Sequence, residues 1–287
     1  MATVTANEII AALTIALVAA SCERSCLCAS ATSATSATST ASTAAGKNIV
    51  AFEQRKFVHN GSELRFFFAA PVKVAAKAEE DVTYPVLLFL HSAGSRGARH
   101  GEHIAHITEF LRVASLQHPM YVVAPVVPRG ELWATYGWST EHSVMQAEPT
   151  DNLLLTRQLL NQLQAELPID TERIYVTGVS MGGYGTWEAV QRWPGDFAAA
   201  VPICGGGDPT RANTLVNMPI WAFHGIDDDV VPVAETRQMI EAIRRGGGEP
   251  RYTEYPAVNH AAWEPAYREP GLIEWLFTQR KTVPSPQ

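Results

Sequence analysis

The sequence predicts an α/β domain: a mostly parallel central sheet with helices on both faces, entered through an N-terminal antiparallel hairpin. Three observations predict it. Short runs of β-branched, aromatic and aliphatic residues alternate with longer segments of helical periodicity. An Asn60-Gly61 pair separates two such runs near the start of the ordered pattern. The pentapeptide Gly178-Val179-Ser180-Met181-Gly182 stands between a strand-like run and a helix-like run.

The elements follow in order. Ala51 to Val58 and Glu63 to Phe68 form the hairpin, since Asn-Gly suits a two-residue turn with positive φ at both central positions. Tyr84 to Leu90 reads as a buried strand, Ala105 to Gln117 as a helix and Tyr121 to Val127 as a strand. Leucines at helical spacing mark Asn152 to Leu167 as a long helix. Arg173 to Thr177 is a strand, and Gly183 to Val190 opens the next helix. Strand Phe197 to Ile203, strand Met218 to Gly225, helix Ala234 to Arg244, strand Tyr252 to Pro256 and a closing helix Gly271 to Thr278 complete the domain.

Strand, G-x-S-x-G and helix in succession is the context that turns this motif into a nucleophile elbow. The turn is tight, and side chains at its flanks would collide with the neighbouring strand and helix. A serine hydroxyl is a weak nucleophile until a base takes its proton and a third group orients that base. Ser180 is therefore sought with an acid and then a histidine further along the chain. Asp227, Asp228 and Asp229 follow the strand that ends at Gly225, and His260 follows the last strand. Taken singly, these are an acidic turn and a surface-loop histidine. In this order, at strand ends, they compose a triad.

The blocks YPVLLFLHSAGSRG, RIYVTGVSMGGYGTWE, FAAAVPICGGGDP, PIWAFHGIDDDVVP and YTEYPAVNHAAWEPAY resemble α/β-hydrolase esterases of the "predicted peptidase" or carboxylesterase type, relatives of polyhydroxybutyrate depolymerases and feruloyl esterases. The resemblance runs from about Phe52 to Arg280. It implies an α/β-hydrolase fold, with Ser180 as nucleophile, His260 as base and Asp228 as the acid among the three aspartates. An oxyanion hole needs two N–H donors. One is expected from Met181, after the nucleophile. The other comes from the loop after Leu88 to Leu90, and by resemblance from Ala93. Ser92 stands where that family usually has glycine. A positive φ there would cost about 1 kcal/mol or more.

These residues imply a serine esterase acting through an acyl-enzyme on a small-molecule or polymer-derived ester, with no cofactor. A serine peptidase with the same triad and a non-catalytic binding module on a hydrolase scaffold are the alternatives. Trp133, Tyr136 and Trp138, in a long loop, and Trp263, after the base, are candidates both for a substrate pocket and for plain packing. His100, His103 and His106 have metal-like spacing, with only Glu102 and Glu109 nearby, and no metal is assigned to them.

The chain has 287 residues, 46% hydrophobic and 18% charged, enough for one large core. A net charge of −7 disfavours nucleic acid as a partner. Residues 1–28 read as a signal-peptide or lipoprotein-like leader, with an apolar run from Ile9 to Ala20 and Cys22 as a possible lipid acceptor and membrane tether. Glu8 and the lack of any Lys or Arg before the run count against it. Residues 29–46 are a low-complexity Ala/Thr/Ser linker, 47–282 the catalytic domain and 283–287 a tail. A secreted or periplasmic location follows from that reading. Cys22, Cys26 and Cys28 lie in the leader, so Cys204 has no disulfide partner in the domain and is expected to be a small buried hydrophobe.

Overall fold

Period-two alternation sorts the strand residues onto two opposite faces of one sheet. The computed structural model describes residues 50–72, 82–138 and 143–281. The leader, the linker and the tail lie outside the described residues. The strands are β1 (Glu53–His59), β2 (Ser62–Ala69), β3 (Tyr84–Leu90), β4 (Tyr121–Val126), β5 (Ile169–Val179), β6 (Ala199–Ile203), β7 (Trp221–Gly225) and β8 (Arg251–Tyr255). They form one sheet in the order β1-β2-β4-β3-β5-β6-β7-β8. β2 runs antiparallel to β1 and β4, and every other pairing is parallel.

The helices are α1 (Thr108–Gln117), α2 (Asp151–Glu166), α3 (Met181–Arg192), α4 (Ala234–Arg245), α5 (Trp263–Ala266) and α6 (Leu272–Thr278). Phe66, Phe68, Val86, Leu88, Leu90, Val123 and Val176 pack on one side with the apolar residues of α2, α3 and α4. Phe67, Leu87, Phe89, Val122, Ala124, Tyr175 and Val201 pack on the other with α1, α5 and α6. β2 to β8 thus feed two cores, while β1 contributes Phe57 to the first. No helix among the described residues is long and apolar enough to cross a membrane.

Most expected elements form within a few residues of their predicted bounds. Asn60 and Gly61 have φ of 49° and 83°, as the hairpin turn requires. Three differences have physical causes. α1 begins at Thr108 because Glu102–Ile107 winds as a 3₁₀ segment. β5 begins earlier, at Ile169, because its register with β3 shifts between Tyr84 and Val86 and leaves Asp170 to Arg173 out of the ladder. There the Asp170 carboxylate accepts from Glu172 N and pairs with Arg173. α5 is a single turn, too short for a periodic signal.

Two histidines sit inside the cores. His91, just past β3, and His103 are fully buried. Desolvation of the cation drives His91 down to about 3, against a smaller opposing effect of its bond to Ser92. The same effect drives His103 down to about 4, opposed by its bond to Ala124. Both are neutral inside the protein.

Two outcomes follow. Gly182 lies where a Cβ would fall inside the Leu90 carbonyl, a backbone group that cannot move aside. Gly182→Ala should therefore cost about 3 kcal/mol or more. Gly94→Ala, with open space at its Cβ position, should leave stability nearly unchanged. Urea melts of both variants check this, and equal midpoints would refute it. The second outcome concerns acid. The unfolded chain binds protons near pH 6.5 that folded His91 and His103 refuse, so their contribution is complete above that value and is lost as pH falls toward 4. Between pH 7 and 5 the unfolding free energy should fall with a slope approaching about two protons, and His103→Gln should remove about one of them. Urea titrations across that range measure the slope.

Candidate active site

The site is built at the carboxyl ends of β3, β5, β7 and β8. β5 ends at Val179 and α3 starts at Met181, so Ser180 must reverse the chain in one residue. It does so with φ 57° and ψ −118°, a conformation costing about 1–3 kcal/mol. Ser180 N donates to Ile203 O at 2.9 Å, and Ser180 O accepts from Tyr184 N at 3.0 Å. A Cβ at Gly178 would strike the Gly182 carbonyl, so glycine is required on both flanks of the turn.

Ser180 Oγ lies 2.9 Å from His260 Nε2. His260 Nδ1 lies 2.8 Å from Asp228 Oδ2 and 3.0 Å from Oδ1. The three residues form one continuous hydrogen-bonded chain. Asp227 and Asp229 are exposed, whereas the Asp228 side chain is buried. Burial alone would raise the Asp228 pKa. Bonds from His224 and His260, and the N–H groups of Val231 and Val230, outweigh it and hold the carboxyl well below the usual carboxylate range. The acid and histidine loops are tied together by Ile226 N to Tyr255 O and Asp227 N to Val258 O, at 3.0 and 3.1 Å.

Met181, as the first residue of α3, has an N–H outside the intrahelical ladder. Ala93 opens a 3₁₀ turn, Ala93–Ser95, and its N–H is likewise used by no acceptor among the described residues. The expected strain at Ser92 does not occur. Its φ is −72°, ordinary extended backbone, so a serine fits there without penalty.

The aromatic candidates divide. Trp133 is not a surface residue. It is wholly buried against Gly185, with Nε1 donating to His91 O at 3.0 Å, and it serves as packing. Tyr136 is also buried, in a cluster with Ala134, Met145, Tyr184 and Val231. Trp138 is half-buried on the edge of that cluster, 6.4 Å from the Tyr184 ring. Trp263 is half-buried edge-on to His260, with centroids 5.7 Å apart, and it also meets His106 at 4.7 Å. The three spaced histidines do not converge among the described residues. The His103 ring bonds Ala124 O and His106 packs on Trp263.

Several participants carried no recognised sequence signal. His224 is fully buried, with Nε2 3.2 Å from Asp228 Oδ2 and 3.0 Å from Val231 O, and Nδ1 2.8 Å from Thr236 Oγ1. Its place one residue before the end of an apolar strand gave it no signal apart from the strand itself. Cys204 is buried as expected, but with φ 40°, and its sulfur lies within 4.8 Å of ligand atoms of Asp228 and His260. Burial raises its thiol pKa strongly, so it stays protonated. Glu188 and Arg192, on α3, form a buried pair that holds the long loop after β4. Glu188 Oε2 accepts from Thr135 N and Oγ1, while Arg192 donates to the carbonyls of Gln146, Ala147 and Glu148.

The arrangement offers a serine hydroxyl, a base bonded to it, a carboxylate bonded to that base, and two unpartnered N–H groups beside them. Residues 132–270 match the Dienelactone hydrolase family. A solved thermostable esterase is 35% identical with a TM-score of 0.69, over 80% of this chain and 63% of that one. A bifunctional acetylxylan esterase/xylanase of Neocallimastix patriciarum is 29% identical over 119 residues, 42% of this chain and 16% of that protein. Poly(3-hydroxyalkanoate) depolymerase C of Paucimonas lemoignei is 26% identical over 151 residues, 52% of this chain and 33% of that protein. The chain spans less than two thirds of the length of each of these relatives. The sheet order, the turn at Ser180 and these likenesses show an α/β-hydrolase fold, with residues 132–270 similar to the dienelactone hydrolase family.

Proposed function

We propose that the protein is a serine hydrolase of carboxylic esters, with Ser180, His260 and Asp228 as its catalytic triad. The observation that carries this reading is the unbroken chain Ser180 Oγ–His260–Asp228 on a strained turn. Ser180 Oγ attacks the ester carbonyl carbon as its proton passes to His260 Nε2. Charge develops on the carbonyl oxygen, where the N–H groups of Met181 and Ala93 receive it. Collapse expels the alcohol, which takes the proton from His260. Water, activated by the same imidazole, then releases the acid and restores Ser180. Asp228 stays ionised and fixes the tautomer that presents Nε2 as acceptor. Trp263, edge-on to His260, and Trp138 are the candidate walls of the substrate pocket.

Ester cleavage is preferred to amide cleavage because an alkoxide leaves with less assistance than an amine. Relatives named for acetylxylan and poly(3-hydroxyalkanoate) make polymer-borne esters the first substrates to assay. A panel of p-nitrophenyl esters, acetylated xylan, feruloyl esters and peptide anilides ranks the choices. Peptide anilides turned over faster than every ester would replace this reading with a peptidase. Failure of a fluorophosphonate to label the protein would replace it with a binding module.

Ser180→Ala should lower kcat by about 10⁴-fold or more, with the residual rate coming from the oxyanion hole and binding. Asp228→Asn should also lose several orders of magnitude, while Asp227→Asn and Asp229→Asn lose little. Steady-state kinetics on one ester decides. Equal damage at all three aspartates would show that the acid is misassigned.

We also infer that residues 1–28 direct export and that 29–46 form a tether. Removing residues 1–45 should leave folding and kcat unchanged, and in a bacterial host the full chain should fractionate with membranes until Cys22→Ser releases it. Intact full-length protein in the cytosol would remove both parts of the inference.

A further inference from the structure

The loop that supplies one oxyanion donor is held by its carbonyl groups. His91 O accepts from Trp133 Nε1 at 3.0 Å. Ser92 O accepts from Ser95 N at 3.0 Å and lies 2.8 Å from His91 Nδ1. His91 Nε2 accepts from Val127 N at 3.0 Å, so Nδ1 carries the ring proton and donates it to Ser92 O. Ala93 O accepts twice from Arg96, from Nε at 3.0 Å and from the backbone N at 3.3 Å. The second arm of the guanidinium, Nη1, reaches Glu131 O at 3.3 Å. Glu131 is in turn held by Asn152 at the start of α2. Gly97 N closes the loop onto Val127 O at 2.8 Å.

The consequence is geometric. Both peptide planes that meet at the Ala93 Cα have their carbonyls fixed from outside, one by His91 and one by Arg96. The Ala93 N–H belongs to the first of these planes and has no acceptor among the described residues. A peptide plane held at one end points its other end in a fixed direction, and fixed donors are what make an oxyanion hole effective.

We propose that Arg96, acting with His91, is a positioning residue for the reaction: His91 holds the Ser92 carbonyl of the plane that carries the Ala93 N–H, and Arg96 ties the Ala93 carbonyl of the next plane to Glu131 O, so that the Ala93 Cα between them cannot turn and the N–H stays aimed at the developing oxyanion. The proposal rests on the serine-hydrolase reading above. Arg96 touches neither substrate nor reacting atoms. Its fork supplies two directed donors from one planar group, which a lysine ammonium at the same position cannot reproduce.

The test uses the full chain and one ester substrate. Arg96→Met should lower kcat about 10- to 100-fold, comparable to or less than the loss of one oxyanion donor, with KM changed less than about threefold. A trifluoromethyl ketone, whose hemiketal oxygen takes the oxyanion position, should bind weaker by the same factor as kcat falls. Arg96→Lys keeps the charge and should recover little of the loss. Added guanidinium ion should restore part of the Arg96→Met rate and none of the Ser180→Ala rate. Wild-type kcat in Arg96→Met, or full recovery in Arg96→Lys, would overturn the proposal. So would a loss shared equally by the ketone and by a ground-state product ligand, because that pattern marks general loosening of the fold. The underlying reading fails separately, if the unmodified protein hydrolyses no ester or Ser180→Ala retains activity.

Discussion

The site depends on a close backbone approach: α3 meets β3 so tightly that a Cβ at Gly182 would fall on the Leu90 carbonyl, and one at Gly183 would clash with the Ile203 carbonyl of β6. That approach forces Ser180 into its left-handed, strained conformation and keeps it there. Strain of this kind persists only where surrounding structure over-determines it. Here three strands and one helix do so. Every other part of the site arrives at a point this contact has already defined, since the loops after β3, β7 and β8 open on the same sheet edge.

Around that point, hydrogen-bond accounting decides the chemistry. Asp228 has its side chain out of water yet is offered two backbone N–H groups and two imidazoles. A buried carboxylate without such donors would take up a proton and lose its orienting charge. The oxyanion loop shows the complementary arrangement. Its His91, Ser92 and Ala93 carbonyls are occupied, and its Ala93 N–H has no acceptor among the described residues. On the proposed reading, these donors hold the acid ionised and turn acceptors away from the place where negative charge develops.

The helix that begins at the nucleophile also frames the substrate side. Its far half carries Glu188 and Arg192, paired at 2.8 Å and nearly out of water. Such a pair is costly to desolvate unless its remaining donors and acceptors are satisfied. They are satisfied by the loop after β4, through Thr135 at one end and Gln146, Ala147 and Glu148 at the other. Asp208 adds a further anchor by accepting from Met145 N, and Glu235 another by accepting from Ser143 Oγ. Trp138, packed beside Tyr184 of α3, is thereby held against the same helix that presents Ser180.

Local patterns in the sequence determined the element order, the hairpin turn, the tight turn at Ser180 and the strand ends that bring Asp228 and His260 to one edge. These are properties of period, turn chemistry and chain order, and neighbouring residues suffice to specify them. What tertiary structure decided depends on groups far apart in the chain. Trp133 lies inside the core because Gly185, about fifty residues on, leaves room for its ring. Ser92 needs no positive φ because His91 and Ser95 hold its carbonyl in an extended turn. His103, in the 3₁₀ segment Glu102–Ile107, turns its ring into the sheet, where it meets the Ala124 carbonyl of β4. His224 reaches Asp228 only because α4 folds back and places Thr236 behind its ring. A residue's polarity and spacing are written locally, whereas its partners are set by which distant backbone comes within 3 Å. That distance is determined only when the whole sheet has closed.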